Sequence, residues 1–338
     1  MSGRLTRRDV LTLLAATGAA ARLRAGQAGP ARPAFSGALM ILHTPFTARG
    51  EVDWDDLVRE ALFVDRAGAA GVVWPQGSSS VAMLTKDERL RGMTLLAETM
   101  RGRRAALVLG VQGRDTAEML EYATRGDTLG PTAVIAMPPS SGTSLDDYRS
   151  YFRALAGVAR RPVIMQTTGG RRDLPPSVDL MVELAREFPH FGYVKEESEP
   201  IVERMKALVA ARPPMRAIFG ATFGTGWLYE MRLGLDGVIT GNAMYADLMA
   251  RIWAAHEHGR RDELLAAFSA FLLMRNAGEQ IPGAELYIFK KRGLFKTTVT
   301  RRSNPADGPV RVAEAPIPPD AVAEIDERFA ALAPYLVT

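Results

Sequence analysis

The sequence predicts an α/β protein, a (β/α)8 TIM barrel carrying a C-terminal helical extension. Three observations predict it. Eight short β-rich runs are apolar along nearly their whole length, as strands are when both faces of a parallel sheet are buried. Each run ends in Gly, Pro, Ser or Thr or a charged residue, and amphipathic helical stretches lie between the runs. The repeating part, from Ser36 to about residue 245, fills the roughly 200–250 residues that eight such units need. A doubly wound sheet is the alternative, but no G-x-G-x-x-G follows the first run.

In chain order the strands are Ala38–Leu42, Gly71–Trp74, Ala105–Gly110, Ala133–Met137, Pro162–Gln166, Gly192–Lys195, Arg216–Phe219 and Gly237–Thr240. Helical periodicity is plain in Asp53–Ala67, Lys86–Met100, Thr116–Leu129, Pro176–Glu187, Ile201–Ala210 and Gly226–Leu233. Residues 36–245 therefore read as the barrel. After the eighth strand the β pattern stops, and Ala246–His258, Arg261–Asn276 and Asp320–Ala333 read as helices, so residues 246–338 form a C-terminal helical region. Between the last two helices lies a poorly patterned stretch containing Pro282, Gly283, Gly293, Pro305 and Pro309.

Residues 1–28 read as a twin-arginine-type export signal rather than part of the fold. Thr6-Arg7-Arg8-Asp9-Val10-Leu11 leads into a short apolar run ending near Ala21, and small residues continue to Ala28. The run is too short for a resident membrane helix. The expectation is an exported, periplasmic protein, cytoplasmic if the signal is not functional.

Composition narrows the function. The chain has 42 Lys and Arg against 38 Asp and Glu, for a net charge of +4. The positive charge is scattered, with no basic run interleaved with aromatics, so nucleic acid is a poor partner. The absence of cysteine removes disulfides, thiolate metal sites and cysteine nucleophiles. Four dispersed histidines, His43, His190, His256 and His258, give no metal site, and no cofactor is expected. The serines have no obvious histidine base beside them, which argues against a serine hydrolase.

Chemistry in a (β/α)8 barrel sits at the C-terminal ends of the strands. Strand six ends in Lys195-Glu196-Glu197. Only six of the 42 basic residues are lysine, so a lysine at the mouth of an apolar strand stands out. Unlike arginine, lysine can lose its proton and attack a ketone to form a Schiff base. The bland alternative is a strand-end lysine paired with Glu196 or Glu197. Side chains alternate along a strand, so Glu196 should face away from Lys195 and Glu197 is the more relevant neighbour. The Gly77-Ser78-Ser79-Ser80 turn after strand two offers N–H groups and hydroxyls suited to a carboxylate, or is simply a solvated turn. Arg171 and Arg172 after strand five suit an anionic substrate or a solvated surface. The glycines Gly220, Gly224 and Gly226 after strand seven suit phosphate or a tight turn. His43 is the strand-end group suited to acid–base work near neutral pH; otherwise it is a polar residue beside the Pro45 turn.

From about Gly37 to Gly259 the chain resembles the dihydrodipicolinate synthase / N-acetylneuraminate lyase family of class I aldolases. The matches are collinear: Leu42–Phe46 with Gly50–Asp53, Gly77–Ser79 with Leu84–Arg89, Pro138-Pro139, Gly170-Arg171, Val194-Lys195-Glu196 and Gly237–Asn242. The resemblance implies that Lys195 forms a Schiff base with pyruvate or another 2-oxo acid. It also implies that Thr44, Gly77, Ser78, Ser79, Gln166, Arg171 and Gly241 line the substrate site, and that the protein is a homodimer or homotetramer. Three places depart from the family pattern. Gln166 stands where a proton-shuttling tyrosine is usual, Ser140-Ser141 replace a Tyr-Tyr pair, and Ser80-Val81 stand where the loop often has Gly-Glu. Three functions are consistent with this. The first is a Schiff-base lyase or aldolase. The second is an exported barrel that binds a small carboxylate or sugar acid without turnover. The third is a dehydratase or hydratase-aldolase on a longer 2-oxo acid.

Overall fold

The computed structural model describes residues 35–314 and 317–337, so the export signal expected at residues 1–28 lies outside the described residues. Eight parallel strands close into a barrel in chain order: β1 (Gly37–Ile41), β2 (Gly71–Trp74), β3 (Ala106–Gly110), β4 (Ala133–Ala136), β5 (Val163–Gln166), β6 (Tyr193–Lys195), β7 (Ala217–Gly220) and β8 (Gly237–Thr240), which pairs back onto β1. Every strand end falls within a residue or two of the sequence expectation. Strands buried on both faces leave an uninterrupted apolar signature, and all eight are.

Seven helices lie between the strands or follow them: α1 (Trp54–Arg66), α2 (Lys86–Met100), α3 (Thr116–Leu129), α4 (Leu145–Val158), α5 (Val178–Glu187), α6 (Ile201–Ala210) and α7 (Trp227–Leu233). Side-chain capping sets the starts of the first five. Asp53, Asp115 and Ser177 each accept a backbone N–H three residues on, and Thr85 with Glu88 and Ser144 with Asp147 form reciprocal capping boxes. Helix α4, which the periodicity did not single out, buries Tyr148, Tyr151, Phe152 and Leu155 along one face.

The barrel's eighth helix, α8 (Ala246–Glu257), packs against β1. The barrel thus includes a helix that the sequence reading grouped with the C-terminal region. Beyond it come α9 (Arg261–Gln280), α10 (Ala284–Lys291) and α11 (Pro319–Ala330). The region is not wholly helical, and here the sequence expectation needs correction. The poorly patterned stretch holds α10 and an antiparallel pair, β9 (Val299–Arg301) with β10 (Val312–Glu314). Three-residue strands with exposed positions are too short to show alternation. Arg301 ties this pair to the barrel. Its guanidinium donates to both Glu88 carboxylate oxygens (2.7 and 2.8 Å) and to Met83 O (2.9 Å), and it lies over the Phe46 ring.

Strand alternation divides the core in two. Leu39, Ile41, Val73, Val108, Ile135, Ile164, Tyr193, Phe219 and Ile239 fill the barrel interior. Phe35 stacks on Tyr193 and Phe219, with ring centroids 5.6 and 5.8 Å apart. The other strand residues pack outward against the helices. Continuing the inward parity to the strand ends places Gln166, Lys195 and Gly241 on the interior side of the mouth.

Candidate active site

Gln166 and Lys195 are register partners on β5 and β6, and Lys195 is in turn opposite Phe219 on β7. All six lysines are among the described residues; Lys195 is the buried one, at 5% exposure, and the other five are exposed. Its Nζ lies 3.2 Å from Glu197 Oε1. Glu196, one residue along, points the other way, as alternation requires. It is fully buried, paired with Arg204 at 3.0 Å, and accepts from the Thr167 hydroxyl and the Ser198 N–H, both at 2.8 Å.

The β5 and β6 ends are laced together by two consecutive threonines that sequence reasoning left without a role. Thr167 donates outward to Glu196, and its oxygen accepts the Glu197 N–H at 3.0 Å. Thr168 donates inward to Glu197 Oε1 and accepts from Gln166 Nε2 at 3.1 Å. Gln166 Oε1 is buried with no hydrogen-bond partner among the described residues.

The Gly77–Ser79 turn is a single 3-10 turn whose backbone closes on itself through Ser79 N to Gln76 O and Ser80 N to Gly77 O. Ser80 adopts a left-handed conformation, φ 55°. Ser79 is buried inside the turn: its hydroxyl donates to Leu42 O (2.6 Å) and accepts from Gln76 N (3.0 Å). Thr44 is a brace of the same kind, donating to Ser79 O at 2.6 Å and accepting from Trp74 Nε1 at 3.0 Å. The hydroxyl protons of Ser79 and Thr44 are thus taken by backbone carbonyls. Ser78 instead leans toward β8, where Gly241 makes room for it: a Cβ at Gly241 would stand 2.4 Å from Ser78 Oγ.

Two expected site residues have other partners. His43 donates its N–H to Glu60 (3.0 Å) and packs its ring on Phe289 of α10, at 4.7 Å between centroids. Burial pushes the Glu60 carboxyl up from its ordinary value, while His43 pulls it down. Arg171 is an exposed side chain held by Asp173 through Nε at 3.0 Å, and its N–H donates to the buried Tyr148 hydroxyl. After β7, the strand next to β6, the β7–α7 turn holds Thr222 and Phe223 at φ 46° and 53°, unusual for non-glycine residues. Asn242 clamps that turn by donating to Phe223 O at 2.7 Å. Among the described residues no group of three or more His, Asp or Glu side chains is placed to hold a metal ion. No described helix is long and apolar enough to cross a membrane.

A model of the dihydrodipicolinate synthetase family matches residues 34–274. The 4-hydroxy-tetrahydrodipicolinate synthase of Chlorobium phaeobacteroides is 27% identical over 269 residues, 78% of this chain and 89% of that protein. The enzyme of the same name from Stenotrophomonas maltophilia K279a is 29% identical over 229 residues, 66% of this chain and 76% of its own. Among solved structures, dihydrodipicolinate synthase from Rhodopseudomonas palustris superposes with a TM-score of 0.76 at 21% identity, covering 90% of this chain and 99% of that one. A structure described as the first monomeric dihydrodipicolinate synthase variant superposes at 0.75 with 15% identity, covering 89% and 98%.

Proposed function

The chain belongs to the dihydrodipicolinate synthetase family, an enzyme family of the class I aldolase type, and from that premise we propose that it is a Schiff-base-forming lyase or aldolase acting on pyruvate or another 2-oxo acid through Lys195. The observation that carries the reading is the placement of Lys195. It is the single buried lysine of six, at the C-terminal end of β6, on the interior side of the barrel. An amine held there and relieved of its proton attacks the ketone carbon of a 2-oxo acid; the resulting iminium accepts electrons when a neighbouring carbon–carbon bond forms or breaks.

The substrate carboxylate would sit on the Gly77–Ser79 turn. Its last N–H groups close the turn, which leaves those of Gly77 and Ser78, the leading donors of a helical turn, to face an anion. The Ser78 hydroxyl, beside Gly241, supplies a further donor. Ser79, Thr44 and Gly241 then act by shaping and bracing the turn. A second reading, a dehydratase or hydratase-aldolase on a longer 2-oxo acid using the same lysine, is favoured by Gln166. Its buried, unpartnered Oε1 is an acceptor suited to a substrate hydroxyl.

The test is intact mass after incubation with pyruvate and borohydride, repeated on Lys195→Ala. An adduct of one reduced pyruvate that maps to Lys195 and vanishes in the variant is expected. Absence of any adduct from folded protein, across pyruvate and a panel of longer 2-oxo acids, would overturn the proposal in favour of a barrel that binds without reacting.

A further inference from the structure

We propose that Glu197 is the acid–base catalyst at the Lys195 nitrogen and that Thr168 is its positioning residue. This inference rests on the Schiff-base reading and deepens it. Forming an iminium requires a proton to leave nitrogen and a proton to reach the departing oxygen, so some titratable group must stand at the amine. The residue opposite Lys195 in the register cannot be that group, because the Gln166 amide neither gains nor loses a proton near neutral pH. The tyrosines near the mouth have other partners. The Tyr148 hydroxyl accepts from Arg171 N, and the Tyr151 hydroxyl accepts from Gly113 N, both at 3.0 Å. His43 faces Glu60 and Phe289.

Glu197 meets each requirement. Its Oε1 lies 3.2 Å from Lys195 Nζ, and its side chain keeps 17% exposure at the mouth, whereas Glu196 behind the strand keeps none. Its orientation is fixed from two sides. The Glu197 N–H is held by Thr167, and the Thr168 hydroxyl donates to Oε1. Thr168 has one proton and gives it to Glu197; its oxygen accepts from Gln166 Nε2. Gln166 therefore donates to Thr168 and Thr168 to Glu197 Oε1, the same oxygen that accepts from Lys195 Nζ, so the hydrogen bonds converge on the Glu197 carboxylate beside the nucleophile. These bonds aim the carboxylate while the carboxylate alone carries the proton.

The step balances without an outside acid. Lys195 passes a proton to the Glu197 carboxylate, and the free amine attacks the ketone carbon. The carbon–nitrogen bond forms as the carbonyl π pair moves to oxygen. A second nitrogen proton reaches that oxygen by way of Glu197, giving a neutral carbinolamine beside a protonated Glu197. Glu197 then returns its proton to the hydroxyl, the carbon–oxygen bond breaks, and water leaves. What remains is the iminium on Lys195 and the carboxylate on Glu197.

The experiment is the rate of borohydride trapping with pyruvate, read by intact mass, for the wild type, Glu197→Gln, Glu197→Ala with and without added formate, Thr168→Val and Thr168→Ser. Melting curves establish that each variant is folded. At saturating pyruvate, Glu197→Gln should trap roughly 10²-fold or more slowly, the usual contribution of a positioned acid–base group. The pyruvate concentration at half-maximal rate should change little. Formate should speed Glu197→Ala, Thr168→Val should be slow, and Thr168→Ser should recover. If the wild type gives no adduct with any 2-oxo acid, the Schiff-base reading falls and this inference with it. If the wild type traps and Glu197→Gln traps equally fast, the inference alone is overturned. A slow Glu197→Ala that formate does not speed, or a loss confined to half-saturation, overturns it as well.

Discussion

Glu230→Gln should raise the melting temperature of this protein at pH 8 and change it much less at pH 5. Glu230 lies on α7 with 4% exposure, and its carboxyl fills the space that Gly220 and Gly226 leave open. A Cβ at Gly220 would sit 1.8 Å from Oε2, and one at Gly226 would sit 2.7 Å from Oε1. No hydrogen bond reaches Oε2 among the described residues. A carboxyl so placed loses water and gains nothing in return, so burial pushes it up from its ordinary 4.5 to about 7.

The folded protein therefore keeps a proton on Glu230 that the unfolded chain gives up near pH 4.5. Stability linked to this group is fully present below that pH, falls as pH rises, and levels off once pH passes about 7. Each tenfold difference in proton affinity is worth about 1.4 kcal/mol, so the loss approaches about 3 kcal/mol at pH 8. At pH 5 it is still under about 1 kcal/mol. Glutamine keeps the shape and has no proton to lose. In a domain of this size 1 kcal/mol corresponds to somewhat under 2 °C, so the gain of the variant over wild type should be roughly 5 °C at pH 8 and about 1 °C at pH 5. Thermal melts by circular dichroism at the two pH values measure it. A gain of equal size at both, or none at pH 8, would refute the account of Glu230 as a buried carboxyl without compensation.

Other perturbations test other parts of the structure. Gly241→Ala places a Cβ 2.4 Å from Ser78 Oγ and must displace the turn; borohydride trapping with pyruvate should fall at least about tenfold, with little change in melting temperature. Arg301→Ala leaves the Glu88 carboxylate with the Thr85 N–H but without its charged partner and should cost about 1–3 kcal/mol in a denaturant titration at pH 7. Burial pushes the Glu88 carboxyl up, but Arg301 and the Thr85 N–H together hold it below its ordinary value. Stability from that pair is present at neutral pH and lost as pH falls through the lowered value, so the wild type and Arg301→Ala should converge in acid. Thr167→Val removes a donor from the buried Glu196 and should cost about 1–3 kcal/mol, with trapping slowed far less than by Thr168→Val, because Thr167 faces away from the nucleophile.

Those pairs of residues also mark what could and could not be read in advance. The strands were legible because burial on both faces leaves no polar interruption, and Lys195 was legible because it broke such a run with a residue type the chain rarely uses. The opposed directions of Glu196 and Glu197 followed from the period of two. Their partners did not follow, because the pairing of Thr167 with Glu196 and of Thr168 with Glu197 depends on the register between β5 and β6, which neither strand carries alone. Glu230 was invisible for a similar reason. A glutamate on a seven-residue helix reads as a solvated face until α7 is laid against Gly220. The β9–β10 pair is held by a contact spanning 213 residues, Arg301 to Glu88, which no local pattern announces.

The same register shows how a glutamine can stand opposite Lys195 while a titratable group still stands at its amine. At Gln166 the side chain and Lys195 are direct partners across the ladder, so whatever stands there touches the nucleophile's neighbourhood first. Two residues further along each strand, alternation returns the side chains to the same interior side, and there stand Thr168 and Glu197. On the proposed role of Glu197, the proton transfer that Gln166 cannot perform falls to this next pair of positions. Gln166 offers the space beside Lys195 an amide oxygen that is buried and has no hydrogen-bond partner among the described residues. On this geometry the substrate preferred by the protein should be more hydroxylated beyond the ketone than pyruvate. A panel of 2-oxo acids of increasing length, ranked by trapping efficiency at Lys195, measures this; pyruvate ranking first would show that the space is not used.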